Sequence, residues 1–181
     1  MRSVTEASYR RGPGAHGRLG PVSHPSLGLP PRDLSAGDPA AAAMLRSGGP
    51  RFRARAFAAA LDIDPTLADR HDQLVRDALQ ADLEAFVDRL AVAVGSGDPR
   101  AMATFADLVA VRYRKRKVAM DDVVTLCEGL RRAAAAVVEP SGLESIDAAI
   151  DAGIEVFRWH RRLAGDARKR HPLLAYIYKG A

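Results

Sequence analysis

The 181-residue chain lacks the features that mark several large classes of protein. It contains one cysteine, Cys127, which excludes an internal disulfide framework and a metal site built from several cysteines. No apolar run approaches the ~20 residues that cross a bilayer, and none near the start resembles a secretory signal. Neither a glycine-rich phosphate loop nor a nucleophile elbow is present. These absences predict a cytoplasmic, non-enzymatic protein without a membrane anchor.

A strong excess of one charge sign is also missing from most of the chain. The formal net charge is +5, of which +3 belongs to residues 1–50 and only +2 to residues 51–181. Long-range attraction of a polyanion needs a larger local excess of positive charge than this. Nucleic acid is therefore not the expected partner.

Glycine and proline divide the chain into two unlike segments. Residues 1–50 hold eight of the 15 glycines and seven of the 11 prolines, without an apolar period that could bury one face. This composition predicts a disordered N-terminal arm over residues 1–50. Residues 51–181 are predicted to form a single all-helical domain.

The first half of that domain shows helical spacing with clear start and stop signals. Arg51 to Leu61 predicts a short helix, and Asp64-Pro65 provides an N-cap acceptor followed by a proline suited to the first turn. Gly95-Ser96-Gly97 predicts the end of the next helical stretch, which is either one long helix or two with a bend. Its buried face is predicted from residues spaced three and four apart: Leu67, Leu74, Val75, Ala78, Leu79, Phe86, Val87, Leu90 and Val94.

The second half repeats these signals. Asp98-Pro99 predicts a second start, Asp121 or Asp122 a third, and Pro140-Ser141-Gly142 a stop before a helix over 143–164. Gly153 lies where another backbone could approach that helix closely. The pattern predicts five or six helices around one core, in an antiparallel helical bundle. The inward residues are expected to be Met102, Phe105, Val109, Tyr113, Val123, Leu126, Cys127, Leu130, Ala134, Val137, Ile146, Ile150, Ile154 and Phe157.

The stretch VRYRKRKVAMDD, residues 111–122, carries five cations and then two carboxylates. Cations at a helix C-terminus and anions at the next N-terminus both complement the partial charges of those ends, so we interpret the run as a solvated helix boundary. The alternative is a nucleic-acid patch formed by Arg112, Arg114, Lys115 and Arg116. Only Tyr113 interleaves these cations, and no groove-entering motif accompanies them.

Two histidines are the candidate cofactor ligands. His71 lies four residues after Leu67, and His160 lies three after Phe157. Either residue could be an axial haem ligand, but a buried histidine bonded to a neighbouring polar group explains the same positions. No second ligand follows at metal-site spacing, so the sequence predicts no cofactor and keeps haem as the alternative.

Paired carboxylates and the lone thiol have simpler explanations than catalysis. The pairs Asp121 with Asp122 and Asp147 with Asp151 could act as acid and base, but helix caps and solvent-facing charges account for them. Cys127 is expected to fill core space.

The C-terminal region combines aromatic bulk with cations, as protein interfaces do. The candidate partner-binding residues are Trp159, Arg162, Tyr176 and Tyr178, and residues 168–181 are a possible docking tail. The alternative is a terminal helix that folds back to complete the core.

Residues 72–138 resemble the helical N-terminal sensor domains of RsbR-type stressosome proteins and related bacterial regulators. The resemblance lies in GSGDPR, in a helix ending RYRKRK, and in VAMDDVVTLCEGLRRA, with matches at Arg112 to Arg116, Val118, Met120, Asp121 and Leu130. It implies a globin-like fold, usually without haem, that dimerises and signals to an effector. That family's output domain is not in this sequence, so we expect a homodimer acting on an effector protein in trans. The alternatives are a haem-binding globin-like sensor and a small nucleic-acid-binding adaptor.

Overall fold

The computed structural model describes residues 37–170, with side chains for residues 37–163. All regular secondary structure in this range is helical, which confirms the all-α prediction. None of these helices has the length and apolar character that a membrane span requires. The seven helices of the described range are α1 (Pro39–Ser47), α2 (Gly49–Ile63), α3 (Thr66–Arg70), α4 (Gln73–Ser96), α5 (Arg100–Lys115), α6 (Met120–Ala134) and α7 (Pro140–Arg170).

Helix α1 lies inside the segment that the sequence predicts to be a disordered arm. Asp38 caps it by accepting a hydrogen bond from the Ala41 amide at 2.9 Å, and Pro39 occupies its first turn. Leu45 is fully buried against the rest of the fold, mainly by packing of α1 on α4. The predicted disorder is therefore wrong for residues 39–47, because three apolar side chains offset the breakers around them. Residues 1–36 lie outside the described range.

A second extra helix arises because α3 and α4 are separate. Helix α3 begins next to the predicted start signal: Asp64 accepts a hydrogen bond from the Thr66 amide at 3.1 Å, but Pro65 rather than Asp64 holds the N-cap position. His71 then adopts an extended conformation, and Asp72 caps α4 through the Val75 amide at 2.8 Å. Leu74, expected on the buried face, falls in the first turn of α4 and is 78 % exposed.

Aromatic side chains from three helices meet at the centre of the core. Phe86 of α4 contacts Phe105 of α5 edge-to-face, with ring centroids 5.0 Å apart. Phe157 of α7 lies 6.2 Å from Phe86, and Tyr113 lies 6.4 Å from it. Burial of one such ring stabilises the fold by about 1.5–3 kcal/mol. The predicted inward stripes of α5 and α7 are therefore confirmed, although Phe105 is only partly buried.

The connection from α6 to α7 differs from the prediction. Helix α6 ends at Ala134, so Val137 is 40 % exposed and Val138 takes the buried position instead. Pro140 does not end a helix but opens α7, since a proline fits the first turn where no amide donor is needed. Helix α7 consequently starts earlier and extends further than the predicted range 143–164.

Helices α5 and α7 run parallel to each other. In the N-terminal half of each helix, Gly153 of α7 lies against Met102 of α5. A Cβ placed on Gly153 would lie 3.2 Å from the Met102 side chain and 3.9 Å from the Met102 carbonyl oxygen. Further along, His160 bonds to Asp107. Residue numbers increase in both helices from the first contact to the second, so the two helices point the same way and their turns lie side by side.

Candidate functional site

The basic stretch lies where the charge pattern predicts it. Arg112, Arg114 and Lys115 occupy the last turn of α5, and all but Arg114 of the five cations are exposed. Arg116 forms an ion pair with Asp82 at 2.5 Å and lies 5.5 Å above the ring of Tyr113. The helix-boundary interpretation is therefore confirmed for the position of these cations.

Asp122 is the clearest departure from the expected solvent-facing charges. Its side chain is 3 % exposed and accepts hydrogen bonds from Arg70, at 2.6 and 3.1 Å. Its second carboxylate oxygen lies 2.7 Å from Nε2 of His71. Neither aspartate caps α6, since Ala119 holds the N-cap position. These partners are 51 and 52 positions away, so no local pattern could have revealed the cluster.

Arg70 links this buried carboxylate to a second one. It bonds to Asp64 at 2.7 Å as well as to Asp122. The hydrogen bond to Asp64 raises the pKa of Arg70; burial opposes this, and Asp122 adds to it. Conversely, the hydrogen bonds from Arg70 and from Thr66 lower the pKa of Asp64. The cluster thus ties α3 and the start of α4 to the first turn of α6.

His160, the second candidate haem ligand, belongs to a different pair. Its side chain is 6 % exposed, and Nε2 lies 2.7 Å from Oδ1 of Asp107. The ring of Trp159 is 4.9 Å away. The two histidines therefore each place Nε2 beside a carboxylate of another helix, rather than facing each other across a cavity. Three surface clefts of about 320, 380 and 360 Å³ have neither histidine in their lining.

A further ionic cluster joins α6 to α7. Arg131 bonds to Glu128 at 2.9 Å, to Asp147 at 2.8 Å and also to Asp151. Burial is the largest single influence on the pKa of Arg131 and lowers it, but the hydrogen bonds to Asp151 and Asp147, together with the charges of Glu128 and Asp151, give a net rise. Asp151 is exposed as predicted and the Asp147 side chain is half exposed, and their shared cation assigns them a structural role.

Two other predicted residues have simple settings. Cys127 is fully buried, which confirms its expected place in the core, and burial raises the pKa of its thiol. Tyr113 is buried as well, and its burial followed by the nearby Asp82 charge raises its pKa. Within the described side chains, no three His, Cys, Asp or Glu residues are grouped as metal ligands.

The outer side of α5 and α7 carries exposed apolar residues. Leu108 is 68 % exposed, Val111 42 % and Leu163 38 %. Val111 lies four residues after Asp107 and Leu163 three after His160, so both follow that pair by one turn on the same side of their helices. We call this surface the α5–α7 face; it comprises Leu108, Val111, Trp159 and Leu163.

Charged residues border the α5–α7 face in a fixed order. Towards the N-terminal ends of the two helices lie Asp107, 46 % exposed, and Glu155, 49 % exposed. Towards their C-terminal ends lie Arg112, Lys115 and Arg162, which are all exposed. The face is therefore basic at its C-terminal end, whereas both acids at its other end already pair within the chain, Asp107 with His160 and Glu155 with Arg158.

The structure places two of the four predicted partner-binding residues, Trp159 and Arg162, on or beside this face. Tyr176 and Tyr178 lie outside the described residues, as do the side chains of the predicted docking tail. The exposed Leu108 was not predicted as a surface residue of interest. Its position outside the predicted inward stripe of α5 was a signal that could have identified it. Comparison of the chain with family models, with curated proteins and with solved structures finds no match.

Proposed function

We propose that this chain is a bacterial, cytoplasmic regulatory domain with a globin-like helical arrangement. It performs no chemistry, works as a homodimer and transmits a signal to an effector protein in trans. The observation that carries this proposal is the exposed α5–α7 face, where aliphatic side chains, a tryptophan and arginines lie together. This combination of residues is typical of protein interfaces.

The use of the buried ionisable groups supports a binding role over a catalytic one. Asp122 and His160 are the buried polar residues of the described side chains, and each bonds to a residue of another helix. A catalytic acid or base needs free access to a substrate proton. Both residues instead hold helices together, and neither lines the three clefts described above.

Site-specific photo-crosslinking in the native host tests the contact with an effector. A photoreactive amino acid replaces Leu108 on the α5–α7 face, and in the control it replaces Leu74 on α4, which is 78 % exposed. We expect a second protein to be crosslinked from position 108 but not from position 74. The purified partner should bind at least tenfold more weakly to the Leu108→Asp variant. Equal crosslinking from both positions would refute a specific contact at this face.

The two alternative functions have separate readouts. We expect no Soret band in the absorption spectrum of protein purified from haem-supplemented cells. A band that disappears in His71→Ala or His160→Ala would establish the haem sensor instead. Similarly, duplex binding that falls steeply with salt and is lost on neutralising Arg114 and Lys115 would establish the nucleic-acid adaptor.

A further inference from the structure

We propose that the α5–α7 face binds an acidic amphipathic helix of the effector protein. This inference rests on the proposed function, because it names the chemistry of the partner at the surface that the function requires. The apolar side of the partner helix covers Leu108 and Leu163. Its carboxylates pair with the cations at the C-terminal end of the face.

The cations at that end have no partner of their own. Arg112, Lys115 and Arg162 are exposed, and none of them forms an ion pair with the carboxylates of residues 37–163. Their neighbour Arg116, in contrast, is paired with Asp82 at 2.5 Å. Three positive charges are therefore free to bind carboxylates that approach from outside the chain.

The carboxylates at the other end of the face decide the sign of the partner. Oδ1 of Asp107 lies 2.7 Å from Nε2 of His160, and Glu155 accepts a hydrogen bond from Arg158 at 2.8 Å. Cations of a partner would thus meet carboxylates that the chain already engages, whereas carboxylates of a partner would meet unpaired cations. Charge complementarity favours an acidic occupant.

Apolar residues and cations follow one stripe along α5. Leu108 is followed three and four residues later by Val111 and Arg112, and Lys115 comes one turn after these, so all four share a side of the helix. With a rise of 1.5 Å per residue, the stripe is about 10 Å long. About two turns of a partner helix match this length, with aliphatic residues three and four apart and carboxylates at one end.

Helix α7 supplies a second row beside this stripe. Trp159 and Leu163 are four residues apart, and Arg162 lies next to Leu163 in sequence. Because α5 and α7 are parallel neighbours, a helix laid in the groove between them contacts both rows. A nucleic acid would pair with the cations but leave Leu108 and Leu163 uncovered, so it matches the face less well.

The crosslink from position 108 identifies the bound segment of the effector. Mass spectrometry of the purified crosslinked complex locates the attached residue in the effector sequence. We expect aliphatic residues at helical spacing around it, with Asp and Glu outnumbering Lys and Arg within about ten residues. A segment with an excess of cations, or without aliphatic residues, would overturn the inference.

Paired charge reversals test the same contact by affinity. Arg112→Glu with Lys115→Glu should weaken binding of the purified effector about tenfold, and wild-type binding should weaken as salt rises. Arg51→Glu with Arg55→Glu is the matched control, since both arginines are exposed on α2, which packs on α4 and α6. This control changes the net charge equally and should leave the affinity unchanged. Circular dichroism checks that both double variants are folded.

A reciprocal exchange on the effector completes the test. Replacing two carboxylates of the mapped segment by lysine should restore binding to the variant reversed at Arg112 and Lys115. The same effector variant should bind the wild-type chain more weakly, because like charges then face each other. Absence of any rescue together with equal binding to the wild type would contradict the proposed pairing.

The outcomes separate the acidic partner from the proposed function. An effector that needs Leu108 but tolerates the reversal of Arg112 and Lys115 would overturn the acidic partner and retain the regulatory function. No crosslink from position 108 would refute both. Co-sedimentation with vesicles of equal parts phosphatidylcholine and phosphatidylserine, lost in Leu108→Asp, would assign the face to a lipid surface and overturn the inference.

Discussion

Two adjacent aspartates, Asp121 and Asp122, have opposite environments at the scale of single residues. They follow each other in the first turn of α6, so both interact equally with the partial positive charge of that helix end. Asp121 is 61 % exposed and pairs with an equally exposed Arg161. Asp122 is 3 % exposed and bonds to Arg70 and His71. The difference arises because successive residues point about 100° apart on a helix.

This contrast predicts unequal effects of the same substitution. Asp122→Asn removes the carboxylate charge to which Arg70 and His71 both bond. It should lower the free energy of unfolding by about 2–3 kcal/mol, a figure that already allows for the partial exposure of Arg70. Asp121→Asn should cost less than about 1 kcal/mol, because exposed ion pairs contribute little. Urea denaturation at pH 7 measures both. Equal losses would mean that the helix-end charge, rather than the buried cluster, dominates.

At the scale of elements, a glycine controls how closely α2 and α6 pack. A Cβ placed on Gly129 would lie 2.4 Å from the carbonyl oxygen of Ala56 and 2.7 Å from the amide nitrogen of Ala60. These are backbone atoms, which cannot move without displacing α2. Gly153 was predicted to be a site of close approach, yet there the nearest atom belongs to the flexible side chain of Met102, at 3.2 Å. The tighter helix contact is therefore at Gly129.

The two glycines predict opposite tolerances to alanine. Gly129→Ala should lower the free energy of unfolding by about 2–3 kcal/mol, since the added methyl forces α2 and α6 apart. Gly153→Ala should change it by less than about 1 kcal/mol, because the helix propensity of alanine offsets a small shift of Met102. Thermal and urea unfolding of both variants measure the difference. A tolerated Gly129→Ala would show that α2 shifts freely on α6.

At the scale of the whole molecule, α1 belongs to the same folded unit as the other helices. Leu45 of α1 is fully buried, and α1 packs on α4, whose Phe86 lies at the centre of the core. Trp159 of α7 provides a spectroscopic probe on another helix. A change in α1 should therefore be felt throughout the fold.

Leu45→Ala is expected to lower the free energy of unfolding by about 2–5 kcal/mol through the cavity that it leaves. Because the domain should unfold cooperatively, Trp159 fluorescence and far-ultraviolet circular dichroism should shift to the same lower midpoint. Met44→Ala is the control, as Met44 lies next in sequence but is 36 % exposed. An unchanged tryptophan midpoint would show that α1 unfolds independently.

Helix starts and stops were predictable because their causes are local. Asp64 contacts an amide two residues away, and Gly97 ends α4 in a left-handed conformation that glycine adopts without strain. Leu74 and Val137 were predicted wrongly because each lies at a helix end, where a shift of a few residues changes which side is buried. The exposure of Leu108 could not be predicted, because it depends on which helices flank α5.

The sequence by itself determined that the described part of the chain is helical and where most helices begin and end, because capping and apolar spacing act within a few residues. Only the tertiary structure decided which charges are buried and which apolar residues remain exposed. Asp122 meets Arg70 and His71, and Leu108 stays in solvent, through the relative placement of whole helices. That placement depends on contacts between residues far apart in the chain, and no local pattern contains them.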